Sequence, residues 1–223
     1  VLLEYLIANY IEKIVISEKI EIYNLLLYFK WKSNENQSGL NLVQVIEKDI
    51  IENNIDTLYL KGGIYRNVKH FKEALECYYR ALEIISTKES KNDIAFYINN
   101  SIGLVYTNQK KFEQAKIIFK TNLQQQKSLK NKAEISTCYT NLASNCVEQK
   151  NYKEAISYYL KALKLKKELE ELESVEVINI NLVVCYIETS QIDLAQKFIN
   201  LSKKSLIQNV RQLTERLDLR IAL

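Results

Sequence analysis

A short pattern returns four times along this chain at almost constant spacing. A bulky residue, a small alanine three places later and a second bulky residue four places after that recur each time, as in Phe112, Ala115 and Phe119. A period of about 20 to 50 residues indicates stacked structural units, none of which can bury its apolar face alone. The alanines follow one another at steps of 41, 40 and 40 residues: Ala74, Ala115, Ala155 and Ala195.

One unit shows what the pattern folds into. Residues 94–109 and 112–129 each place apolar groups at helical spacing, and Lys110 and Lys111 between them make a tight turn. This predicts an αα-hairpin in which Gly103 faces Ala115, where a larger side chain would cost about 1–3 kcal/mol through overpacking. The small and aromatic positions expected to hold the repeats together are Gly62, Tyr65, Ala74, Gly103, Tyr106, Ala115, Ala143, Ala155, Tyr186 and Ala195.

Two polar pairs predict where second helices of the hairpins begin. Asn151 with Glu154 has the spacing of an N-cap and the acidic residue of a capping box, and Ser190 with Asp193 has the same spacing.

These residues resemble the tetratricopeptide repeat, whose pattern orders a glycine, a tyrosine, an alanine and an aromatic residue. The resemblance covers roughly residues 56–205 and is strongest in 58–86 and 139–165. The period exceeds the usual length of about 34 residues, and the chain has no proline to end its helices. We therefore expect lengthened helices, similar to the extended repeats of kinesin light chains, bacterial peptide-pheromone receptors and bacterial sensor regions. The implied fold is all-α, an α-α superhelix of about five hairpins with terminal helices.

We expect residues 1–223 to form a single repeat domain. Residues 1–55 read as a degenerate repeat with N-terminal helices, in which a polar loop at 33–39 precedes a helix at 40–51. Four units fill 56–205, and 206–223 is either a capping helix or the start of a coiled coil. The sequence holds no methionine, so we expect a fragment of a larger protein.

Composition favours a binding protein over an enzyme. A net charge of +4 is mild, and a single histidine with four scattered cysteines offers no metal-ligand spacing. The cysteines fall inside predicted helices, which favours buried thiols in a reducing, cytoplasmic setting. No membrane segment, catalytic residue, phosphate loop, cofactor site or metal site is evident, and we predict a protein without enzymatic activity.

By resemblance to the family, the first helix of each unit lines a concave groove. Asparagine in such a groove donates and accepts hydrogen bonds at once and can hold the backbone of an extended peptide, whereas its other role is to cap or bridge helices. Only Arg66 is cationic, which argues against a clamp for acidic chain ends. The predicted groove residues are Tyr59, Arg66, Tyr97, Asn100, Thr107, Thr140, Asn141, Ser144 and Asn181.

The resemblance implies a scaffold that binds a protein or a linear peptide, as the sensory or docking region of a larger signalling or regulatory protein. The alternative is a receptor for a short signalling peptide that controls an attached or partner effector. A helical-repeat RNA binder is disfavoured because the predicted groove is not basic. Self-association through the terminal helices is a further expectation.

Overall fold

In the computed structural model of the chain, residues 16–49, 54–87 and 94–201 are described, and they are all-helical. The predictions for residues 1–15 and 202–223, including the C-terminal cap or coiled coil, lie outside this range. No strand occurs in the described residues. Within these described ranges, ten helices run in order: α1 (Ile16–Lys32), α2 (Asn36–Asp49), α3 (Ile55–Asn67), α4 (Phe71–Ser86), α5 (Ile94–Asn108), α6 (Phe112–Ser128), α7 (Lys132–Glu148), α8 (Tyr152–Glu168), α9 (Leu172–Glu188) and α10 (Ile192–Leu201).

The chain divides into two compact units between Val105 and Tyr106, within α5. In the first unit, α1 packs on α2 and α3, α2 also contacts α3, and α3 forms an extensive interface with α4. In the second unit, each helix from α6 to α10 packs against its neighbour along the chain. The two helices predicted at 94–109 and 112–129 are confirmed as α5 and α6.

One kind of turn joins the helices throughout the described range. In the second unit, the residue at the centre of the turn adopts a left-handed backbone at positions 110, 130, 150, 170 and 190, with φ between 57° and 61°. The amide of Lys150 donates to Val147 O and that of Asn151 to Cys146 O, which is the Schellman arrangement. The 40-residue period is therefore two helix-and-turn halves of 20 residues, in which 17-residue helices alternate with short turns.

The same turn changes two expectations. The polar loop predicted at 33–39 is shorter, because α2 begins at Asn36 and Asn34 supplies the left-handed residue, with φ 56°. Polar residues are tolerated there because the first turn of a helix leaves backbone amides unbonded. Ser190 is not the N-cap expected from its spacing, since it occupies the left-handed position with φ 58°.

Asn151 does cap α8 as predicted. Its side-chain oxygen accepts from the backbone amide of Glu154 at 3.4 Å, and its side-chain nitrogen donates to the Glu154 carboxylate at 2.8 Å. Asn131 caps α7 by the same contact to the amide of Glu134. Both caps satisfy amides that the helix cannot bond internally.

The small positions of the repeat lie at the centres of the helix interfaces. Ala74, Ala115, Ala155 and Ala195 are each fully shielded from solvent. A methyl group added to Gly62 would lie 2.5 Å from Cε1 of Tyr78, whose ring is itself fully buried. The helices α3 and α4 therefore approach as closely as they do only because position 62 has no side chain.

We expect Lys130→Gly to raise the free energy of unfolding by about 0.5–1 kcal/mol, because glycine removes the cost of a left-handed backbone. The matched change Lys120→Gly lies on the exposed face of α6 and should lower it by about 0.5–1 kcal/mol, because glycine disfavours helix. Urea denaturation followed by circular dichroism measures the free energy of unfolding of both variants. Changes of the same sign in the two variants would contradict the assignment of Lys130 to the left-handed turn position.

We expect Gly62→Ala to lower the free energy of unfolding by about 1–3 kcal/mol, because the new methyl group collides with the Tyr78 ring. In a double-mutant cycle, the variant that also carries Tyr78→Leu should lose less than the sum of the two single changes. If the losses of unfolding free energy measured by urea denaturation were additive, the Tyr78 ring would not be the group with which a side chain at position 62 collides.

Candidate functional site

A cavity of about 390 Å³ opens between α7 and α9 in the second unit. These are the first helices of two successive hairpins. The volume falls within the range of about 300–1,000 Å³ that is usual for ligand pockets. Its lining residues come mainly from the two helices, with one lysine from the end of α8: Thr137, Thr140, Asn141, Lys166, Glu173, Ser174, Val177 and Ile178.

Helical spacing brings these side chains to one place. Thr137, Thr140 and Asn141 are separated by three and four residues and so share one face of α7. Val177 occupies the position in α9 that Thr137 occupies in α7, because the repeat advances by 40 residues. Ile178 is only 2% exposed and forms an apolar floor, whereas Val177 is 53% exposed.

The two threonines of the cavity have already used their hydroxyl hydrogens. Thr137 donates to Ala133 O at 3.2 Å, and Thr140 donates to Ser136 O at 3.0 Å. Serine and threonine hydroxyls within a helix commonly donate to a backbone oxygen of the preceding turn in this way. The oxygen of each threonine keeps its capacity to accept a hydrogen bond.

One side of the cavity carries an ion pair with a hydroxyl. Lys166 donates to the Glu171 carboxylate, and Ser174 donates to the same carboxylate oxygen at 3.0 Å. The hydrogen bond from Lys166, with a further one from Ser174, holds the pKa of Glu171 below its usual value. Lys166 is therefore neutralised by a partner within the unit, and its side chain is only 12% exposed.

Of the predicted groove residues in the second unit, Thr140 and Asn141 meet at this cavity. Ser144 lies further along α7, where its hydroxyl is 3.2 Å from the hydroxyl of Tyr159 and ties α7 to α8. Burial raises the pKa of Tyr159 to about 12, so this hydroxyl stays protonated at neutral pH. Asn181 is half-buried on α9 and does not line the cavity.

Thr107 takes part in the packing of the second unit. It is 5% exposed, and its hydroxyl donates to the side-chain oxygen of Asn145 at 3.0 Å. Asn145 in turn donates to the backbone oxygen of Phe112 at 3.1 Å. The side-chain amide of Asn145 therefore connects α7 to the end of α5 and to the start of α6. This is the helix-bridging role that the sequence analysis gave as the alternative to peptide binding for asparagine.

The other four predicted groove residues lie in the first unit. The ring of Tyr59 makes an edge contact with Trp31 at 5.6 Å and a tilted contact with Tyr78 at 6.2 Å. Burial raises the pKa of Tyr59, as expected for a ring that is mostly a packing element. Asn100 is buried at 5% exposure, Tyr97 is 43% exposed, and Arg66 is half-buried.

Five cavity residues were not predicted in the sequence: Lys166, Glu173, Ser174, Val177 and Ile178. The four on α9 were missed because the groove of the fourth unit was read from residue 180 onwards, although α9 begins at Leu172. Lys166 was missed because only the first helix of each unit was expected to line the groove, and this lysine lies on α8. The 40-residue repeat was the signal that would have found Val177, since it maps Thr137 onto that position.

The described residues contain no group of three or more histidine, cysteine or acidic side chains that could hold a metal ion. Burial raises the pKa of Cys138 to about 12 and that of Cys146 to about 11, so both thiols stay protonated at neutral pH. Within the described residues, none of the helices is long and apolar enough to cross a lipid bilayer.

Comparison with known proteins agrees with this architecture. The tetratricopeptide-repeat family model matches residues 93–168, and a second model of the same repeat matches residues 55–88. No curated protein sequence matches the chain.

Three solved structures illustrate the structural likeness. A Rap protein in complex with Competence and Sporulation Factor aligns with a TM-score of 0.77 and 16% identity over 98% of this chain and 60% of that one. PlcR of Bacillus thuringiensis, in complex with the peptide PapR7 and DNA, aligns with a TM-score of 0.60 and 15% identity over 90% and 74%. TPR-like repeats of a Podosopora anserina kinesin-light-chain-type protein align with a TM-score of 0.59 and 14% identity over 88% and 95%.

At these identities the structures show the fold, and the chain spans about 60% of the Rap structure. The repeat matches, the paired helices and the buried alanines agree on one conclusion: residues 55–88 and 93–168 are tetratricopeptide repeats, and the chain has the all-α fold of helical-repeat solenoids of this kind.

Proposed function

We propose that this protein is a non-catalytic scaffold that binds a linear peptide, or an extended segment of a partner protein, in the cavity between α7 and α9. The observation that carries the proposal is the cavity itself, which places Thr140 and Asn141 beside the exposed apolar side chain of Val177. A pocket with an apolar wall and a few polar groups is the usual form of a ligand site.

The polar groups suit a peptide backbone. The Thr137 and Thr140 oxygens can accept from backbone amides, and the side-chain amide of Asn141 has both a donor and an acceptor. An extended peptide presents both kinds of group along its length. Its side chains can contact Val177, which loses exposed apolar surface on binding.

The structural neighbours support the peptide class of ligand. PlcR was solved with the peptide PapR7 and with DNA, on a fold that aligns with most of this chain. By analogy, we propose that the chain is the sensory or docking region of a larger regulatory protein, in which peptide binding controls an effector. This finer role rests on the analogy with PlcR.

The other predicted groove residues differ in how accessible they are to a ligand. Tyr97 and Arg66 in the first unit and Asn181 on α9 stay predicted contacts, because each keeps some exposed surface. Asn100 and Thr107 are too buried to touch a ligand without movement of their helices, so we assign them no contact.

We expect Val177→Trp to weaken peptide binding about tenfold or more, because the indole fills the cavity. The probe is a phage-displayed library of random linear decapeptides selected on the immobilised full chain, followed by calorimetry with the enriched peptides. Val177 is 53% exposed, so the change should leave the fold intact, as circular dichroism can verify.

Ile117→Trp on α6 is the matched control, because Ile117 is 65% exposed and does not line the cavity. It should bind the enriched peptides as the unmodified chain does. Failure to enrich any peptide, or equal affinity of the Val177→Trp and unmodified chains, would overturn the proposal.

We expect Asn141→Ala to weaken binding of the same peptides by about fivefold to tenfold, the cost of losing one or two hydrogen bonds to a peptide backbone. Asn200→Ala on α10 removes the same group from an exposed position away from the cavity and should change nothing. Calorimetry compares the two, and an undiminished affinity of Asn141→Ala would remove this residue from the site.

A further inference from the structure

The hydroxyl groups that line the α7–α9 cavity all donate their hydrogens to other groups of the protein. Thr137, Thr140 and Ser174 all line it, and each has already donated its hydrogen, to Ala133 O, Ser136 O and Glu171 respectively. Toward a ligand these three groups can therefore only accept. A ligand that brings N–H donors satisfies them, whereas a ligand that brings further acceptors leaves them unsatisfied.

The charges of the cavity favour the same kind of ligand. The cation Lys166 is tied to Glu171 and only 12% exposed, so the pair is neutral toward a ligand. Glu173 also lines the cavity and is exposed, and no ion pair within the described part of the chain neutralises it. Among the described residues, Glu173 is therefore the charged cavity residue that no ion pair compensates.

An apolar surface lies next to these acceptors. Val177 is exposed to the extent of 53%, and Ile178 forms the floor behind it. Lysine and arginine side chains carry an aliphatic stem that covers apolar surface while the charged end stays among polar groups. A short amine without such a stem would leave Val177 exposed to water.

We propose that the α7–α9 cavity is a specificity pocket for a lysine or arginine side chain of the bound peptide. The inference rests on the proposed function, since it assumes that a peptide occupies this cavity. The stem lies on Val177, and the cationic end donates hydrogen bonds to the threonine oxygens and faces the carboxylate of Glu173. An acidic side chain is rejected, because it would bring acceptors to acceptors and a negative charge to Glu173.

The test uses N-acetylated, C-amidated heptapeptide mixtures that carry arginine, citrulline, norleucine or glutamate at one fixed position, scanned along the peptide. Fluorescence anisotropy with the full chain measures affinity. At one position we expect arginine to bind about tenfold tighter than glutamate, with citrulline and norleucine between them. Acetylation ensures that the peptide's terminal amine does not supply the cation.

Two variants that each remove one carboxylate test whether the charge of Glu173 causes the preference for arginine. Glu173→Gln should reduce the preference for arginine over citrulline by about threefold, as expected for one partly exposed charge pair. Glu113→Gln changes the same residue at the equivalent second position of α6, away from the cavity, and should leave the preference unchanged.

The outcomes also distinguish this inference from the proposed function. Binding that Val177→Trp abolishes, but that shows no preference for a basic residue, would overturn the basic pocket and leave the peptide groove standing. A preference for arginine that Glu173→Gln does not alter would also overturn it. If no mixture binds, both proposals fail.

Discussion

The turn that ends helices α5 to α9 sets the register on which the rest of the second unit depends. A left-handed residue and two Schellman hydrogen bonds close each helix from α5 to α9 at a 20-residue interval. Because the turn is short and always the same, each helix begins with its side chains in a constant register relative to the one before. That register brings the same faces of α7 and α9 together, with Thr137 and Val177 at equivalent positions.

Lysine occupies four of the left-handed positions described: Lys69, Lys110, Lys130 and Lys150. A left-handed backbone costs a lysine about 1–2 kcal/mol. Its positive charge next to the last carbonyls of a helix offsets part of that cost through the helix dipole. The chain can therefore use this turn repeatedly although it contains only four glycines.

The candidate site consists largely of side chains that already make hydrogen bonds or ion pairs within the fold. Thr137 and Thr140 bond to their own helix, and Ser174 bonds to Glu171, so the cavity is lined by fixed acceptor groups. Lys166 is likewise held by Glu171. This pre-arrangement leaves three hydroxyl oxygens that can only accept hydrogen bonds, so a ligand that supplies donors suits this part of the cavity.

The sequence by itself determined the repeat, the hairpins and the residues that make close packing possible. The spacing of Ala115 and Phe119 carries this information locally, because a helix has one period and small residues are needed wherever backbones meet. The tertiary structure decided which polar residues stay accessible. Thr107 and Asn141 look alike in the sequence, yet Thr107 is buried against Asn145 whereas Asn141 lines the cavity. Hydrogen-bond partners that are distant along the chain make that difference, and no local pattern records them.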